Sequence, residues 1–498
     1  MFKTQYFFLE KHVWRKILSS VKARLGKIRK PSRMLSGVSV VAVMTHPIPC
    51  PFNCYYCPGG PEYNAPKSYF GNEPALRRAR RNQFHPYKQV WNRLLQYEYL
   101  KQVPSKVEII VMGGTFLAAR QRYKEWFITM IFEALNRYPD PNPPRKWDLE
   151  SAQLRNETAN HRCVGLTIET RPDYGYEKHA DEMLYYGATR VELGVQSIYD
   201  DVLLRVNRGH GVAESIKSTR ILKDAGFKIV YHIMLGLPGS DPDRDIEMMK
   251  EIFENPDFRP DMLKIYPTEV VEGTVLYQWW REGRYKPYDD ETAIEVISEM
   301  YRYIPKYVRV MRIRRDIPAP EVVAGTKKSN LREYVEKRCM EKGIKINEIR
   351  FREVGLQAWK YGRIPDPKHI EITRTTYEAS GGIEEFLAVE DTRNDIIIGF
   401  LRMRIPSEKA HRPEVDSRTA IIRELHVYGP ELPVGIHGES WQHKGWGAKL
   451  LKEAERIAVE EYDAKKMLVL SGIGVREYYR KYGYYRPPNS PYMHKILS

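Results

Sequence analysis

The sequence predicts an α/β protein: a partial (β/α)6 barrel followed by a smaller α+β domain. Three observations carry this. From about residue 38 to residue 300, short, nearly continuous apolar runs alternate with helical patterns, as the strands of a helix-covered parallel sheet do. From residue 369 the pattern changes to consecutive strand-like runs joined by short polar turns. The candidate strands of the first region also end on glycines, carboxylates and amides, at the C-terminal strand ends where barrels keep their chemistry.

The first-region strands are residues 38–44 (VSVVAVM), 107–114 (VEIIVMGG), 163–170 (CVGLTIET), 188–197 (ATRVELGVQS), 227–236 (FKIVYHIMLG) and 262–267 (MLKIYP). Helical patterns at 85–101, 121–137, 177–186, 212–225 and 242–254 separate them. The strand ends bear Gly113-Gly114-Thr115, Glu169-Thr170-Arg171, Gln196-Ser197 and Gly236-Leu237-Pro238-Gly239. In the second region the strands are HIEITRTTYEAS, EEFLAVED, DIIIGFLRMRI and RTAIIRELHVYG, with turns at Gly381-Gly382 and Arg393-Asn394-Asp395. A helix (447–461), a strand (466–472), a second helix (474–482) and a closing strand follow. The expected organisation is a basic N-terminal arm (1–36), the barrel (37–304), a linker rich in charge and proline (305–365) and the α+β domain (366–498).

Length and composition suit several real cores: 498 residues, 42% of them apolar. No apolar stretch approaches the roughly 20 residues of a membrane span, and the first residues lack a secretory pattern. Five cysteines are no disulfide framework, so a reducing, cytoplasmic location is expected. The net charge of +16 is concentrated. Residues 1–34 hold ten Lys/Arg against one Glu, with Tyr6, Phe7, Phe8 and Trp14 among them. Residues 75–93 (Arg77, Arg78, Arg80, Arg81, Lys88, Arg93) and 302–315 (Arg302, Lys306, Arg309, Arg312, Arg314, Arg315) carry no acid. Such clusters suit phosphate contacts and point to a nucleic-acid partner; solvated helix faces are the alternative.

Two motifs carry chemistry. Cys50, Cys54 and Cys57 form Cys-x3-Cys-x2-Cys, with Tyr56 before the last cysteine. Thiolates are the usual ligands of iron–sulfur clusters. Three of them would leave one iron of a 4Fe–4S cluster open to S-adenosylmethionine. A structural zinc site needs a fourth ligand, and Cys163 and Cys339 are isolated. The second motif, Gln442-His443-Lys444-Gly445-Trp446-Gly447, lies between a strand and a helix. A glycine-rich turn opening a helix presents backbone N–H groups and a positive dipole end to a pyrophosphate. Tyr478 and Tyr479, on the next helix, can hydrogen-bond a thioester carbonyl or protonate a leaving thiolate.

The cysteine motif resembles the radical-SAM superfamily, and Gln-x-x-Gly-x-Gly resembles the acyl-CoA loop of GNAT N-acetyltransferases. Together with VEIIVMGGTF, GLTIETRPD, RVELGVQS, HIMLGLPG, RELHVYG and SGIGVREYYRKYGYY, the chain from about residue 28 resembles the catalytic subunit family of Elongator. That resemblance implies a tRNA-modifying acyltransferase using a 4Fe–4S cluster, S-adenosylmethionine and acetyl-CoA. A radical formed from S-adenosylmethionine takes hydrogen from the acetyl methyl group, and the acetyl carbon adds to C5 of the wobble uridine in the anticodon stem-loop. Thioester hydrolysis then leaves a carboxymethyl group. The resemblance also implies residue roles. Cys50, Cys54 and Cys57 would be the cluster ligands. Gly113 and Gly114 would approach the methionine moiety, Glu169 its amino group or the ribose, and Gln196 the same cofactor. Lys106 would contact acetyl-CoA, and Lys264 would reach the barrel mouth as a catalytic group beside Tyr478 and Tyr479. Glu424, Leu425, His426 and Val427 would offer strand backbone to pantetheine, and Gln442, Gly445, Trp446 and Gly447 would hold the pyrophosphate.

The chain departs from the family in three places. Residues 345–355 (KINEIRFREVG) lack the cysteines that bind zinc in many members, so no structural zinc is expected. The gap between the first two cluster cysteines is the shorter, general radical-SAM one. The region before the basic arm is short, from which weaker tRNA affinity is expected. Two rivals remain at this stage: a protein lysine acetyltransferase with a structural cysteine domain, and a non-catalytic tRNA-binding scaffold. The radical reading requires the two domains to meet with their active faces together.

Overall fold

The computed structural model describes residues 37–100, 102–429 and 445–497. The basic arm and Gln442 lie outside the described residues. The barrel is a seven-stranded, wholly parallel sheet in sequential order: β1 Ser39–Met44, β2 Lys106–Met112, β3 Arg162–Thr170, β4 Arg190–Gln196, β5 Lys228–Leu235, β6 Met262–Pro267 and β7 Arg309–Ile313. β1 and β7 do not pair, so the barrel is partial.

The six strands expected from sequence are present, and the seventh corrects the expectation. β7 lies inside the segment read as a linker, pairing in parallel with β6 from Met262↔Arg309 to Ile265↔Ile313. Its charge hid it, because Arg309 and Arg312 interrupt the apolar residues Val310, Met311 and Ile313. Val310 is fully buried and Ile313 nearly so. The helices that follow, Leu331–Glu341 and Ile349–Arg352, contact β7 and bury Leu331, Val335, Cys339 and Ile349 completely. Residues 305–365 are therefore part of the folded body.

Strand side chains alternate between faces. On one face of the barrel sheet, Val107, Ile109, Val111, Leu166, Ile168, Val191 and Leu193 are fully buried with the surrounding helices in the main core. Each such side chain stabilises the fold by about 1.5–3 kcal/mol. The opposite, inward face is polar, and the site is built there.

The second domain is a six-stranded mixed sheet in the order β13-β12-β11-β10-β9-β8. Its strands are β8 Ile370–Ala379, β9 Gly382–Asp391, β10 Ile396–Ile405, β11 Thr419–Val427, β12 Lys466–Val469 and β13 Met493–Ile496. β8 to β11 are antiparallel neighbours, while β11 and β12 are parallel. The helix Trp446–Tyr462 covers this sheet with Leu450, Leu451, Ala454, Ile457 and Ala458.

The two domains share one apolar core, which includes Phe386, Phe400, Ile421, Leu468, Leu470 and Ile473 of the second domain. A buried ionic network crosses the same junction. Arg423 donates to Asp261 at 2.8 and 2.6 Å and to Glu384 at 2.6 and 3.1 Å. Arg404 donates to Asp224 at 2.7 and 2.9 Å. All five side chains are at most 1% exposed.

Candidate active site: two cavities in one barrel

The loop after β1 carries the three cysteines. Cys57 N–H closes a turn on Cys54 C=O at 3.0 Å, and Tyr55 N–H ties the loop to Val206 C=O at 3.0 Å. Cys50, Cys54 and Cys57 line one cavity of about 160 Å³, and no disulfide joins them. The Cys54 sulfur accepts from the Arg208 guanidinium at 3.5 Å and from Arg171 at 3.9 Å. Cys57 sulfur lies 3.3 Å from Ser68 Oγ, and Cys50 sulfur 3.7 Å from Thr115 Oγ1. Arg171 is fixed by Asp173 at 2.9 and 3.1 Å and lies 3.3 Å over the Phe52 ring. Burial pushes the Cys57 thiol up, with the neighbouring Cys54 adding to the rise and Ser68 opposing it.

These residues fit a cluster with a small polar cofactor. Three sulfurs share one cavity, with positive donors against the most buried of them. The backbone opens beside them at Gly113 and Gly114 (φ 133° and 65°). A Cβ on Gly113 would come within 2.1 Å of Thr45 Oγ1, so only glycine fits. Gln196, itself at φ 69°, turns a buried, unpartnered Oε1 within the group of residues that lines the cavity.

Deeper in the same cavity, the inward residues of β3 to β6 form a charged group. Glu169 accepts from Tyr69 OH at 2.8 Å and lies 3.4 Å from Lys264 Nζ. Glu192 accepts from Lys264 and, at 2.7 Å, pairs with His232 Nε2. Burial alone would raise the Glu192 carboxyl, but Lys264, His232 and Arg190 hold it well below the usual range. Burial alone would lower Lys264, but Glu192, Tyr266 and Glu169 hold it above its ordinary value. Lys264 is therefore a fixed ammonium, a donor and not a base. Glu169, Glu192 and His232 bring three possible ligand atoms within 4.8 Å of one another, yet the ammonium already occupies both carboxylates.

The second cavity, about 520 Å³, opens at the other end of the barrel, between the two domains. Lys106, Glu108, Arg190 and Lys228, at the starts of their strands, line one side. Glu424, Leu425, His426 and Val427 of β11 line the other. β12 pairs with β11 only from Thr419 to Ile422, and beyond this the two strands diverge, leaving one edge of β11 open toward the cavity. The helix Trp446–Tyr462 begins here, with Gly445 in the left-handed region (φ 78°) as its N-cap. Gly445, Gly447, Tyr478 and Tyr479 complete the wall. Burial raises both tyrosines above their ordinary value, so they are neutral donors at physiological pH.

The structure thus assembles the expected residues into two groups. Cys50, Cys54, Cys57, Gly114, Glu169, Gln196 and Lys264 line the first cavity, with Gly113 packed behind on Thr45. Lys106, Glu424 to Val427, Gly445, Gly447, Tyr478 and Tyr479 line the second. Trp446 is not among its lining residues: the ring packs on the second domain's core with Lys449 Nζ 4.3 Å over it. Sequence reading placed Arg171 at a strand end without giving it a role, and missed Arg208, Glu192, His232 and Tyr69. For Glu192 the signal was available, because it lies two residues before Gly194 on the inward alternation of β4.

The basic clusters also need correction. Of residues 302–315, Arg302 pairs with Glu299, Lys306 with Glu390 and Asp395, Arg309 with Glu353, Arg312 with Asp316, and Arg314 with Glu269. Arg315 donates to Ser68 C=O. Arg309 and Arg314 are thus internal, while Arg302, Lys306 and Arg312 are ion-paired but stay 40–46% exposed. In the 75–93 cluster, Arg78 and Arg80 bind backbone carbonyls, while Arg77 and Arg81 are exposed.

Residues 46–252 match the Radical SAM superfamily, residues 260–341 the Radical_SAM C-terminal domain and residues 355–484 the Acetyltransferase (GNAT) family. The chain is 53% identical over 464 residues to the tRNA uridine(34) acetyltransferase of Methanocaldococcus infernus, covering 92% of this chain and 86% of that protein. It is 44% identical over 497 residues to the Elongator complex protein 3 of Danio rerio, covering 98% and 88%. Its fold is similar to the solved archaeal Methanocaldococcus infernus Elp3 with an N-terminal deletion, with a TM-score of 0.82 at 50% identity, covering 93% of this chain and all of that one.

Proposed function

This chain belongs to the Elongator complex protein 3 family of tRNA uridine(34) acetyltransferases, and on that footing we propose that it builds a carboxymethyl group at C5 of the wobble uridine of tRNA from acetyl-CoA. The observation that carries the proposal is the pairing, at the two ends of one barrel, of a three-cysteine cavity with a cavity of about 520 Å³ bordered by the glycine-capped helix start and the open edge of β11.

A 4Fe–4S cluster on Cys50, Cys54 and Cys57 with S-adenosylmethionine would supply a carbon radical able to take hydrogen from the acetyl methyl group. The protein's own groups bind and orient. Arg208 and Arg171 donate to the Cys54 sulfur at 3.5 and 3.9 Å and orient it toward the cavity. Gly113 and Gly114 let the backbone approach the methionine end, and Glu169 accepts from its amino or ribose groups. Lys264 stays protonated, pairs with both Glu169 and Glu192, and holds Glu192 as an anion.

At the other end, Gly445, Gly447 and the helix start receive the pyrophosphate. The open edge of β11 from Glu424 to Val427 pairs with the pantetheine amides, and Lys106 adds a positive charge. Tyr479, a neutral donor, hydrogen-bonds the thioester and returns a proton to the departing thiolate, with Tyr478 beside it. Arg77 and Arg81 offer phosphate contacts to the anticodon stem-loop. A lysine acetyltransferase reading leaves the cysteine cavity and its guanidinium donors without a role.

The test is anaerobic. Protein reconstituted with iron and sulfide is given reductant, S-adenosylmethionine, acetyl-CoA and tRNA, and the digested nucleosides are analysed by mass spectrometry. The expected product is 5-carboxymethyluridine, absent without S-adenosylmethionine and absent in Cys54→Ser. Acetylated protein lysine with unmodified tRNA would overturn the reading.

A further inference from the structure

The inward face of the barrel is unlike the branched apolar packing that usually fills one. Strand register shows how close the two cavities come. Ala42, Ile110, Thr167, Arg190 and Lys228 are cross-strand neighbours in one layer. Glu169 and Glu192 are neighbours in the next layer toward the cysteines. Arg190 lines the acyl cavity and Glu192 the cysteine cavity, two residues apart on β4 and about 7 Å along the strand.

That separating layer is not packed like the outward core. Ala42 and Ile110 are only half-buried there, while their outward neighbours Val41, Val43, Ile109 and Val111 are completely buried. Thr167 Oγ1 and Arg190 Nε are buried without hydrogen-bond partners, although most such groups in proteins are paired. Arg190 is itself held between the cavities, ion-paired with Glu108 on the acyl side and 3.8 Å from Glu192 on the other. A polar layer of small and partly buried side chains with a guanidinium across it can admit a polar chain end when that guanidinium moves aside. An acyl thioester offers a carbonyl oxygen that a guanidinium can hold.

We propose that the acyl end of the bound thioester crosses the Ile110–Thr167–Arg190 layer inside the barrel, and that Arg190 positions it by donating to the acyl oxygen. The inference rests on the acetyl-CoA reading above and adds the route: the methyl group reaches the cysteine cavity through the lumen, without the domains parting. Narrowing this layer would separate the two half-sites while leaving each intact.

The experiment uses the full chain and acetyl-CoA with a trideuterated acetyl group, reading deuterium in 5′-deoxyadenosine. Wild type transfers deuterium. Ile110→Trp, and Ala42→Phe from the neighbouring strand, should each lower the transfer at least tenfold, with acetyl-CoA affinity measured calorimetrically on cluster-free protein changed less than about threefold. A thiol placed in the layer gives a reading without the cluster: in cluster-free Thr167→Cys, peptide mapping should find the introduced thiol modified by methyl methanethiosulfonate and protected by acetyl-CoA. Wild-type deuterium transfer in both narrowed variants, or an introduced thiol that never reacts, would overturn the route while leaving acetyl-CoA as the donor. No deuterium transfer in wild type would overturn the acetyl-CoA reading and the route with it.

Discussion

Arg423 of the second domain grips Asp261 of the barrel with two hydrogen bonds, 2.8 and 2.6 Å long, and neither side chain has any exposure to solvent. Asp261 also accepts from Ile229 N–H at 2.8 Å at the start of β5, so one carboxylate fixes the barrel floor and the domain junction together. Arg402, beside it, donates to Glu424 at 2.9 Å and extends the network to the strand that borders the acyl cavity.

Breaking one partner of such a pair leaves buried charge uncompensated. Asp261→Asn should destabilise the protein by about 3–5 kcal/mol, measured by chemical denaturation. Acetyl-CoA affinity should fall as well, because the wall of the acyl cavity is carried by the same junction. A loss below about 1 kcal/mol would mean that the apolar core alone joins the domains.

Gly447 tests the acyl-CoA loop. A Cβ there would lie 2.6 Å from Tyr478 OH. Gly447→Val should weaken acetyl-CoA binding at least tenfold by calorimetry. Cleavage of S-adenosylmethionine by the reduced, reconstituted protein without acetyl-CoA should stay within about twofold of wild type, since the cysteine cavity lies at the other end of the barrel.

Tyr479 is nearly buried in the second domain's core and also borders the acyl cavity. Tyr479→Phe keeps the ring and removes the donor. Product formation should fall by roughly 10²-fold, at the low end of general acid effects, with acetyl-CoA affinity changed little. Unchanged turnover would assign the tyrosine to packing.

Asp245 gives a pH prediction away from the chemistry. Burial pushes its carboxyl up to about 6, from 3.8, against hydrogen bonds from Ser240, Gly236 N–H and Tyr288. The folded state therefore binds a proton that the unfolded state has lost between pH 3.8 and about 6. This contribution is fully present below pH 3.8 and is lost as pH rises through about 6, a change of roughly 3 kcal/mol. In Asp245→Asn, the urea-unfolding free energy should lose this component of its pH dependence over that interval.

Much of this was legible in the sequence where the signal is local. Cys50, Cys54 and Cys57 are close in the chain, Gly445 and Gly447 open a helix, and β1 to β6 are apolar enough to announce themselves. β7 was lost because Arg309 and Arg312 interrupt its apolar residues, and only the fold supplies Glu353 and Asp316 to pair with them. Arg314 read as a surface cation for the same reason, yet it is 5% exposed against Glu269. Arg208 and Arg171 sit more than a hundred residues from the sulfur they serve. No spacing rule reaches that far, and the same holds for Lys264 with Glu192.

The most direct measurement follows the carbon. Acetyl-CoA carrying carbon-13 at both acetyl positions is supplied to the reconstituted enzyme with S-adenosylmethionine, reductant and tRNA, and the modified uridine is weighed. The expected product is 5-carboxymethyluridine with both labelled carbons incorporated. Labelled acetyl recovered only on protein lysines or as free acetate, with tRNA uridine unchanged although iron is bound, would contradict a carboxymethyl group built from acetyl-CoA.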